Sequence, residues 1–485
     1  MEDVQSAAPY QAGLETWIGK EQKATELATQ VAQLWYQKGV ELVLFRRKLF
    51  DSGVNGILNL HLRARDIIKN ELTVFETGEL AGALCRLDLP PARIDLGRLG
   101  AEWLEARKGT DAESFLRDKL GHLLEHADWK PTPRDVVLYG FGRIGRLVTR
   151  SLAASMGKGQ QLRLRAIVTR SNKPGDIEKR AELLRNDSVH GSFRGTVEAD
   201  EENKLLIVNG LPIQMIAAGN PTDLDYTPYG IEDALIIDNT GAWRDRDGLG
   251  QHLQSGGARN VLLTAPGKGD IPNIVYGINH EAFNGEERIF SAASCTTNAI
   301  VPTLKVVQEH LGIEVGHIET VHSYTNDQNL IDNVHKKYRR GRAATLNLVI
   351  TETGAGKAVA KALPQLQGKL TGNAVRVPTP DGSLAILNLT LERPTTKEEL
   401  NGILKEAALQ SELVEQIEFS DNYELVSSDI IGNPHAGIID SAATIVGPTG
   451  KTAVLYVWYD NEFGYCEQVM RLAKHVAGVR RYTYY

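Results

Sequence analysis

Cys295 stands in the run Ser291-Ala292-Ala293-Ser294-Cys295-Thr296-Thr297-Asn298, ahead of the apolar Ala299-Ile300-Val301. Small and hydroxylated residues leading into an apolar run put a thiol at the start of a helix. There, free backbone N–H groups and the helix dipole favour the thiolate, the nucleophilic form. Read alone, a cysteine is more often an inert core thiol than a nucleophile. A second chemical signal lies upstream. Gly140-Phe141-Gly142-Arg143-Ile144-Gly145 is a G-x-G-x-x-G. Placed between a strand and a helix, such glycines allow a tight turn and close approach to a pyrophosphate, which the helix N-terminus then binds. The competing reading is a glycine-rich turn in another α/β fold. The fingerprint normally closes with an acid after the second strand, bonded to the adenosine ribose. Here Thr169-Arg170-Ser171-Asn172 follows that strand and carries no acid. An arginine accommodates a 2′-phosphate, so Thr169 and Arg170 favour NADP, or tolerance of both cofactors. The plain alternative for Arg170 is a solvated surface residue.

Stepping along the chain, Asp135–Tyr139 is a short apolar strand and Arg143–Ala154 a helix. Leu162–Val168, Ala234–Ile237 and Val261–Leu263 read as further buried strands. Strands alternating with helices predict a parallel, helix-covered sheet, the Rossmann type. Ala374–Arg376, Leu384–Leu389 and Val454–Trp458 read as strands of a second, mixed α/β domain. Before Trp129-Lys130-Pro131-Thr132-Pro133 the pattern is mainly helical. Ala24, Leu27, Val31 and Leu34 form one apolar face. Thr110 and Glu113 have capping-box spacing ahead of Leu116, Leu120, Leu123 and Leu124. The expected division is a helical region over 1–130, a dinucleotide-binding domain over 131–295 completed by a terminal helix over 465–485, and a catalytic domain over 296–464.

Composition limits the function classes. Across 485 residues, 42% are hydrophobic, enough for large cores, and the formal net charge of −7 disfavours nucleic acid as a general partner. The three cysteines, Cys85, Cys295 and Cys466, are too few and scattered for a disulfide framework and suit a reducing, cytoplasmic setting. Met1–Thr16 lacks the features of a secretory leader, and no apolar run is long enough to span a membrane. No metal site is expected. Cys85 is expected to be buried. Arg46-Arg47-Lys48 and Arg63-Ala64-Arg65 read as solvated helical faces, with a binding face as the alternative.

The cysteine octapeptide is similar to the catalytic signature of the glyceraldehyde-3-phosphate dehydrogenase family. The resemblance covers most of residues 135–475. It runs through Gly140–Arg146, Asp238-Asn239-Thr240-Gly241, Thr264-Ala265-Pro266, His322-Ser323-Tyr324-Thr325-Asn326-Asp327-Gln328, Arg376-Val377-Pro378-Thr379-Pro380 and Trp458–Tyr465. It implies Cys295 as nucleophile and His322 as base, in phosphorylating oxidation of glyceraldehyde 3-phosphate through a cysteine thioester, or the reverse. It implies Thr240, Gly241, Thr264 and Asn461 as further contacts to NAD or NADP. The attacking phosphate maps onto Ser294, Thr296, Thr353 and Gly354. The substrate phosphate maps onto Thr325, Asp327 and Arg376, with Arg340 or Arg342 near the phosphates. A homotetramer is the family's usual assembly.

The chain departs from the family at Tyr139 and Ala292, where asparagine is usual, and at Ile386, where aspartate is usual. Asn333-Val334 stands where NAD-selective members often carry Leu-Pro, which again points to NADP tolerance. Residues 1–130 resemble the extension of long-form bacterial members. Two other functions remain open to the sequence. One is an erythrose-4-phosphate dehydrogenase, against which Thr353-Gly354 counts. The other is a regulatory or nucleic-acid-binding protein on the same fold, against which intact Cys295, His322 and Arg376 count.

Overall fold

A computed structural model describes residues 7–485, except 69, 158 and 284. The expectation about Met1–Thr16 thus falls in part, at residues 1–6, outside the described residues. The chain forms two compact units. One contains the residues up to Pro133 together with 155–161 and 479–485. The other contains 134–154 and 162–478.

The larger unit carries both sheets that the sequence calls for. In the first, the strand order is Ile289–Ser291, Ala258–Leu263, Ala234–Asp238, Arg134–Tyr139, Leu162–Thr169 and Leu211–Ala217, then Leu205–Val208 and Val197–Asp200. Neighbours run parallel as far as Leu211–Ala217, and the last two strands fold back antiparallel. Strand Ala234–Asp238 is buried at every position, as a parallel strand covered on both faces must be. The second sheet is mixed, in the order Val349–Glu352, Leu370–Val377, Ile313–Ser323, Ser383–Leu391, Thr452–Tyr459, Gly437–Asp440 and Ile417–Ser420. Helix Cys295–Leu311 lies in its core through Ala299, Ile300, Val301, Leu304 and Val307. The last helix spans Phe463–Val476, not 465–485, and packs on helix Arg143–Ala153. Residues 482–484 instead form a strand of the smaller unit.

That unit is mainly helical, as expected, but it also holds a four-stranded sheet in the order Arg47–Lys48, Glu41–Leu44, Ala92–Asp95, Tyr482–Tyr484. Ala24, Leu27, Val31 and Leu34 are buried in its core, as their spacing requires. Three local expectations are corrected. The helix Ala112–Lys119 is capped by Asp111, which accepts from Glu113 and Ser114, so Thr110 lies one residue too early. Cys85 is half-buried rather than buried. Arg46 is not on a solvated helix: it is 6% exposed and sits in a hairpin turn.

This turn is the most demanding local structure of the unit. Phe45 and Arg46 link paired strands with φ of 44° and 69°, unusual for residues with a Cβ. Buried Asp95 holds it. Its carboxylate accepts from the N–H groups of Phe45 and Arg46 at 2.8 and 3.1 Å, and lies 3.4 Å from the Arg46 guanidinium. The same carboxylate caps helix Leu96–Ala106 through Gly97 and Arg98. Gly97 is required there, since a Cβ would meet the Phe45 ring at 2.7 Å. Asp95→Ala removes the acceptor of several buried N–H groups and an ion-pair partner of Arg46, and should destabilise the protein by about 3 kcal/mol. Urea unfolding at constant m-value measures this; a loss below about 0.5 kcal/mol would show that the turn does not depend on the carboxylate.

Candidate active site

Two neighbouring strands and one helix start bring the reactive groups together. Strands Ile313–Ser323 and Leu370–Val377 pair in parallel with His322 opposite Arg376. Cys295 opens helix Cys295–Leu311, whose N-cap is Ser294. The Ser294 hydroxyl oxygen accepts from the N–H of Thr297 at 3.0 Å and lies 2.7 Å from the Thr297 hydroxyl. Ahead of it, Ala293 takes φ 55°, a strained conformation for a non-glycine residue. Its N–H donates to the Ser291 hydroxyl, and its carbonyl accepts from the Tyr465 hydroxyl at 3.0 Å. The Asn298 side chain donates to the carbonyls of Ala292 and Ser294. The turn presenting the thiol is therefore held from several sides.

Cys295 Sγ lies 3.5 Å from His322 Nε2. His322 Nδ1 lies 2.7 Å from the Ser323 carbonyl, which fixes the proton on Nδ1 and leaves Nε2 as an acceptor facing the sulfur. Arg376 donates to the same carbonyl at 2.8 Å and to the Thr325 hydroxyl at 3.3 Å. It also approaches Nδ1 at 2.9 Å, a donor-to-donor contact that repels an added imidazole charge. Burial, reinforced by the Arg376 cation, lowers His322 to about 3. Burial pushes the Cys295 thiol up, against the pull of Arg376 and of the Thr296 N–H. Each charge is thus disfavoured when formed alone. Moving the proton from Sγ to Nε2 creates both at once, and their attraction over this distance is worth about 5 kcal/mol at an effective dielectric of about 20. The geometry suits a thiol activated by proton transfer to its neighbour.

Beside this pair lies a group of cationic and hydroxyl side chains whose chemistry suits an anion. Arg376 Nε is buried and has no hydrogen-bond partner among the described residues. Thr325 donates to Asp327, which pairs with Arg340, and Arg340 reaches the Thr351 hydroxyl at 3.2 Å. Arg342 belongs elsewhere: it is an exposed residue paired with Asp332. Thr353 and Gly354 stand at the start of helix Ala355–Ala362, with the Thr353 hydroxyl accepting from Ala355 and the space beside Gly354 open. Sequence reasoning passed over Tyr459. Its hydroxyl lies 3.0 Å from that of Thr296, and its ring stands edge-on to His322. It occupies a buried position of an alternating strand, where a core residue is the natural reading.

The fingerprint has the form a dinucleotide needs. Gly140 takes φ 96°, and a Cβ on Gly145 would meet the Gly140 carbonyl at 2.5 Å. Gly142 caps helix Arg143–Ala153 without any side-chain cap, leaving the first N–H groups for a phosphate. Phe141 and Ile144 are half-buried at this turn. Arg143 faces elsewhere, paired with Glu462 and Asp187. Thr240, Gly241 and Thr264 gather at the carboxyl ends of the adjoining strands: Thr240 donates to Asp238, and Thr264 donates to the Asp238 carbonyl. The Thr169 hydroxyl is bonded to Asn172 at 2.9 Å, while Arg170 is exposed. The Asn461 side-chain oxygen accepts from Ser383 at 2.5 Å.

Comparisons with known proteins agree with this arrangement. Residues 134–246 match the family described as glyceraldehyde 3-phosphate dehydrogenase, NAD binding domain, and residues 294–461 match the C-terminal domain of the same family. The chain is 52% identical over 453 residues to a glyceraldehyde-3-phosphate dehydrogenase-like protein of Pseudomonas aeruginosa (strain UCBPP-PA14), covering 93% of this chain and 98% of that protein. It is 38% identical over 343 residues to the glyceraldehyde-3-phosphate dehydrogenase of Zymomonas mobilis, covering 70% of this chain and 98% of that one. With the glyceraldehyde-3-phosphate dehydrogenase of Pseudomonas aeruginosa strain PAO1, identity is 41% over 345 residues, covering 71% and 98%.

The thiol–imidazole geometry generates a direct test. His322→Gln removes the acceptor, so alkylation of Cys295 by iodoacetamide near neutral pH should slow by about tenfold or more. Its pH midpoint should move above the ordinary thiol range, because burial then acts on the thiol alone. An unchanged pH profile would show that His322 does not take the proton.

Proposed function

The chain belongs to the glyceraldehyde-3-phosphate dehydrogenase family, and we propose that it catalyses the phosphorylating oxidation of glyceraldehyde 3-phosphate to 1,3-bisphosphoglycerate, and the reverse. The observation that carries this reading is the 3.5 Å approach of Cys295 Sγ to His322 Nε2 beside Arg376. The proposed cofactor half, 131–295, and catalytic half, 296–464, are supported by the two family matches.

In this reading Cys295 Sγ bonds to the aldehyde carbon while its proton passes to His322 Nε2 and on to the oxygen, giving a hemithioacetal. His322 Nε2 then takes the hydroxyl proton as a hydride leaves the same carbon. The bound nicotinamide supplies the hydride acceptor. The product of this step is a thioester on Cys295. A phosphate oxygen attacks the thioester carbon, the carbon–sulfur bond breaks, and the acyl phosphate departs with the Cys295 thiolate restored. Arg376, Thr325 and Arg340 hold the substrate phosphate, and Asp327 positions Thr325 and Arg340 for it. Ser294, Thr296, Thr353 and Gly354 hold the attacking one, the last two at a helix start with open space beside it. Charge-assisted hydrogen bonds from arginine are what such anions require.

The matched domain is an NAD-binding one, and NADP acceptance is the finer proposal. Exposed Arg170 and exposed Asn333-Val334 support it. The proposed assembly is a homotetramer. Leu330, Ile331, Val334, Tyr338, Leu346 and Leu348 are between 72% and 94% exposed, an apolar surface that a lone chain would leave in water. Sedimentation velocity should give four copies per particle, and a lone chain at micromolar concentration would reject the assembly. Among the described residues no helix is long and apolar enough to cross a membrane. Three free cysteines fit a cytoplasmic location, which cell fractionation reads directly.

The initial rate with glyceraldehyde 3-phosphate and phosphate tests the reaction. It should be abolished in Cys295→Ser with the fold retained, and near-normal turnover of that variant would refute the nucleophile. NADP should support a rate at least comparable to NAD, and Arg170→Ala should raise KM for NADP by about tenfold while sparing NAD. Equal effects on both cofactors would remove Arg170 from the 2′-phosphate site.

A further inference from the structure

One buried group of ligand-type side chains has no part in this chemistry. His190, Asp381 and Asp460 each present one ligand atom, and the three atoms lie within 4.8 Å of one another. They come from three distant segments, so no local spacing motif announces them. The Asp381 side chain is fully buried. One of its oxygens accepts from the Gly382 N–H at 2.8 Å. The other, Oδ2, is buried, receives no N–H or O–H donor among the described residues, and lies 3.6 Å from His190 Nε2. Asp460 is 2% exposed. Its Oδ2 accepts from Gly432 at 2.7 Å, and its Oδ1 accepts from Glu462 and Phe463 at 2.9 and 2.6 Å. These backbone donors aim the carboxylate without using all its lone pairs.

The charges around the group do not balance. Asp187, Asp381, Asp460 and Glu462 supply four carboxyls. Arg143 pairs with Glu462 and Asp187, and Arg146 lies 4.0 Å from Asp187. Both guanidiniums therefore serve the Asp187–Glu462 side. His190 Nε2 lies 3.0 Å from Glu462 Oε2 and 3.6 Å from Asp381 Oδ2. Burial and the neighbouring Asp460 and Glu462 charges push Asp381 well above the usual carboxylate range, and burial pushes Asp460 up as well. Two buried carboxyls this close need compensation, either by a shared proton or by a cation.

We propose that His190 Nε2, Asp381 Oδ2 and an Asp460 carboxylate oxygen bind one divalent cation of the manganese class. One imidazole with two carboxylates suits that class better than a thiolate-seeking ion. The N–H groups of Gly382, Gly432 and Phe463 orient the ligating carboxylates. The ion fastens the segment Asp460-Asn461-Glu462 to the strand start at Ser383, where the Asn461 amide is bonded.

Titration of the full-length protein with Mn²⁺ in phosphate-free buffer, read by electron paramagnetic resonance, tests the site. Manganese is used because its preference for oxygen and nitrogen ligands keeps Cys295 out of the measurement. One saturable site per chain is expected. It should weaken by about tenfold or more in Asp381→Asn and in His190→Gln. Circular dichroism shows whether each variant has kept its fold. Spin-echo modulation from a single imidazole nitrogen should appear in the unmodified protein, a readout that needs no variant. Absence of saturable binding, absence of that nitrogen, or unchanged binding in a folded variant would overturn the proposal and leave a shared proton as the compensation.

Discussion

Burial of charge is the constraint on which the rest of the larger unit depends. The sulfur, the imidazole and a guanidinium stand in contact at one place where water is scarce. There, neither a lone thiolate nor a lone imidazolium is favoured. A site of this kind works only if proton and charge move together, and that demands fixed distances. The fixing comes from parallel pairing that sets His322 opposite Arg376, and from a helix start that holds Cys295 before them. A one-residue slip would turn the imidazole, on strand Ile313–Ser323, or the guanidinium, on strand Leu370–Val377, to the opposite face of the sheet. The core under helix Cys295–Leu311 therefore bears on chemistry as well as stability.

The same economy explains the strained turn at Ala293. A left-handed residue in front of the nucleophile costs on the order of 1 kcal/mol, and it persists because its neighbours over-determine it. Ser291, Asn298 and Tyr465 each bond to the turn. The fingerprint loop solves a related problem with glycine: Gly145 lets helix and strand approach, and Gly142 leaves the helix start uncapped for an anion.

Much of this was legible in the sequence. Strand–turn–helix around Gly140–Gly145 and the small-residue run around Cys295 are local patterns, and local patterns survive into structure with boundaries shifted by a residue or two. What was not legible depends on pairing between distant segments. Tyr459 reads as core because its position alternates like core. His190, Asp381 and Asp460 meet only through the fold. Arg46 looked like a surface charge in a basic run, but Asp95, far along the chain, draws it inside. Tyr482–Tyr484 looked like the tail of a helix, yet its alternation suits the edge beside Ala92–Asp95, where it pairs in parallel. The cap at Asp111 rather than Thr110 is a choice between adjacent good acceptors, which composition does not resolve.

The smaller unit shows why the first 130 residues are not a detachable appendage. Its sheet takes its edge strand from residues 482–484. Arg481 stacks on Trp35 with its charge 4.8 Å from the ring centre and donates to the Gly159 carbonyl. Trp35 in turn donates to the Met156 carbonyl. Tyr482 stacks on His126 and meets Trp129 edge-on. A fragment ending near residue 133 would lose all of these partners, and a chain lacking 1–130 would leave an aromatic strand without its sheet. Loop-closure cost grows only slowly with separation, so a pairing between the two ends of the sequence is thermodynamically affordable. The Pseudomonas relative that aligns over 93% of the chain must share most of this extension, whereas relatives aligning over about 70% carry the catalytic part without it. The catalytic fold therefore exists in both forms, and the extension's contribution is best sought through single substitutions on its surface that leave its core and borrowed strand intact.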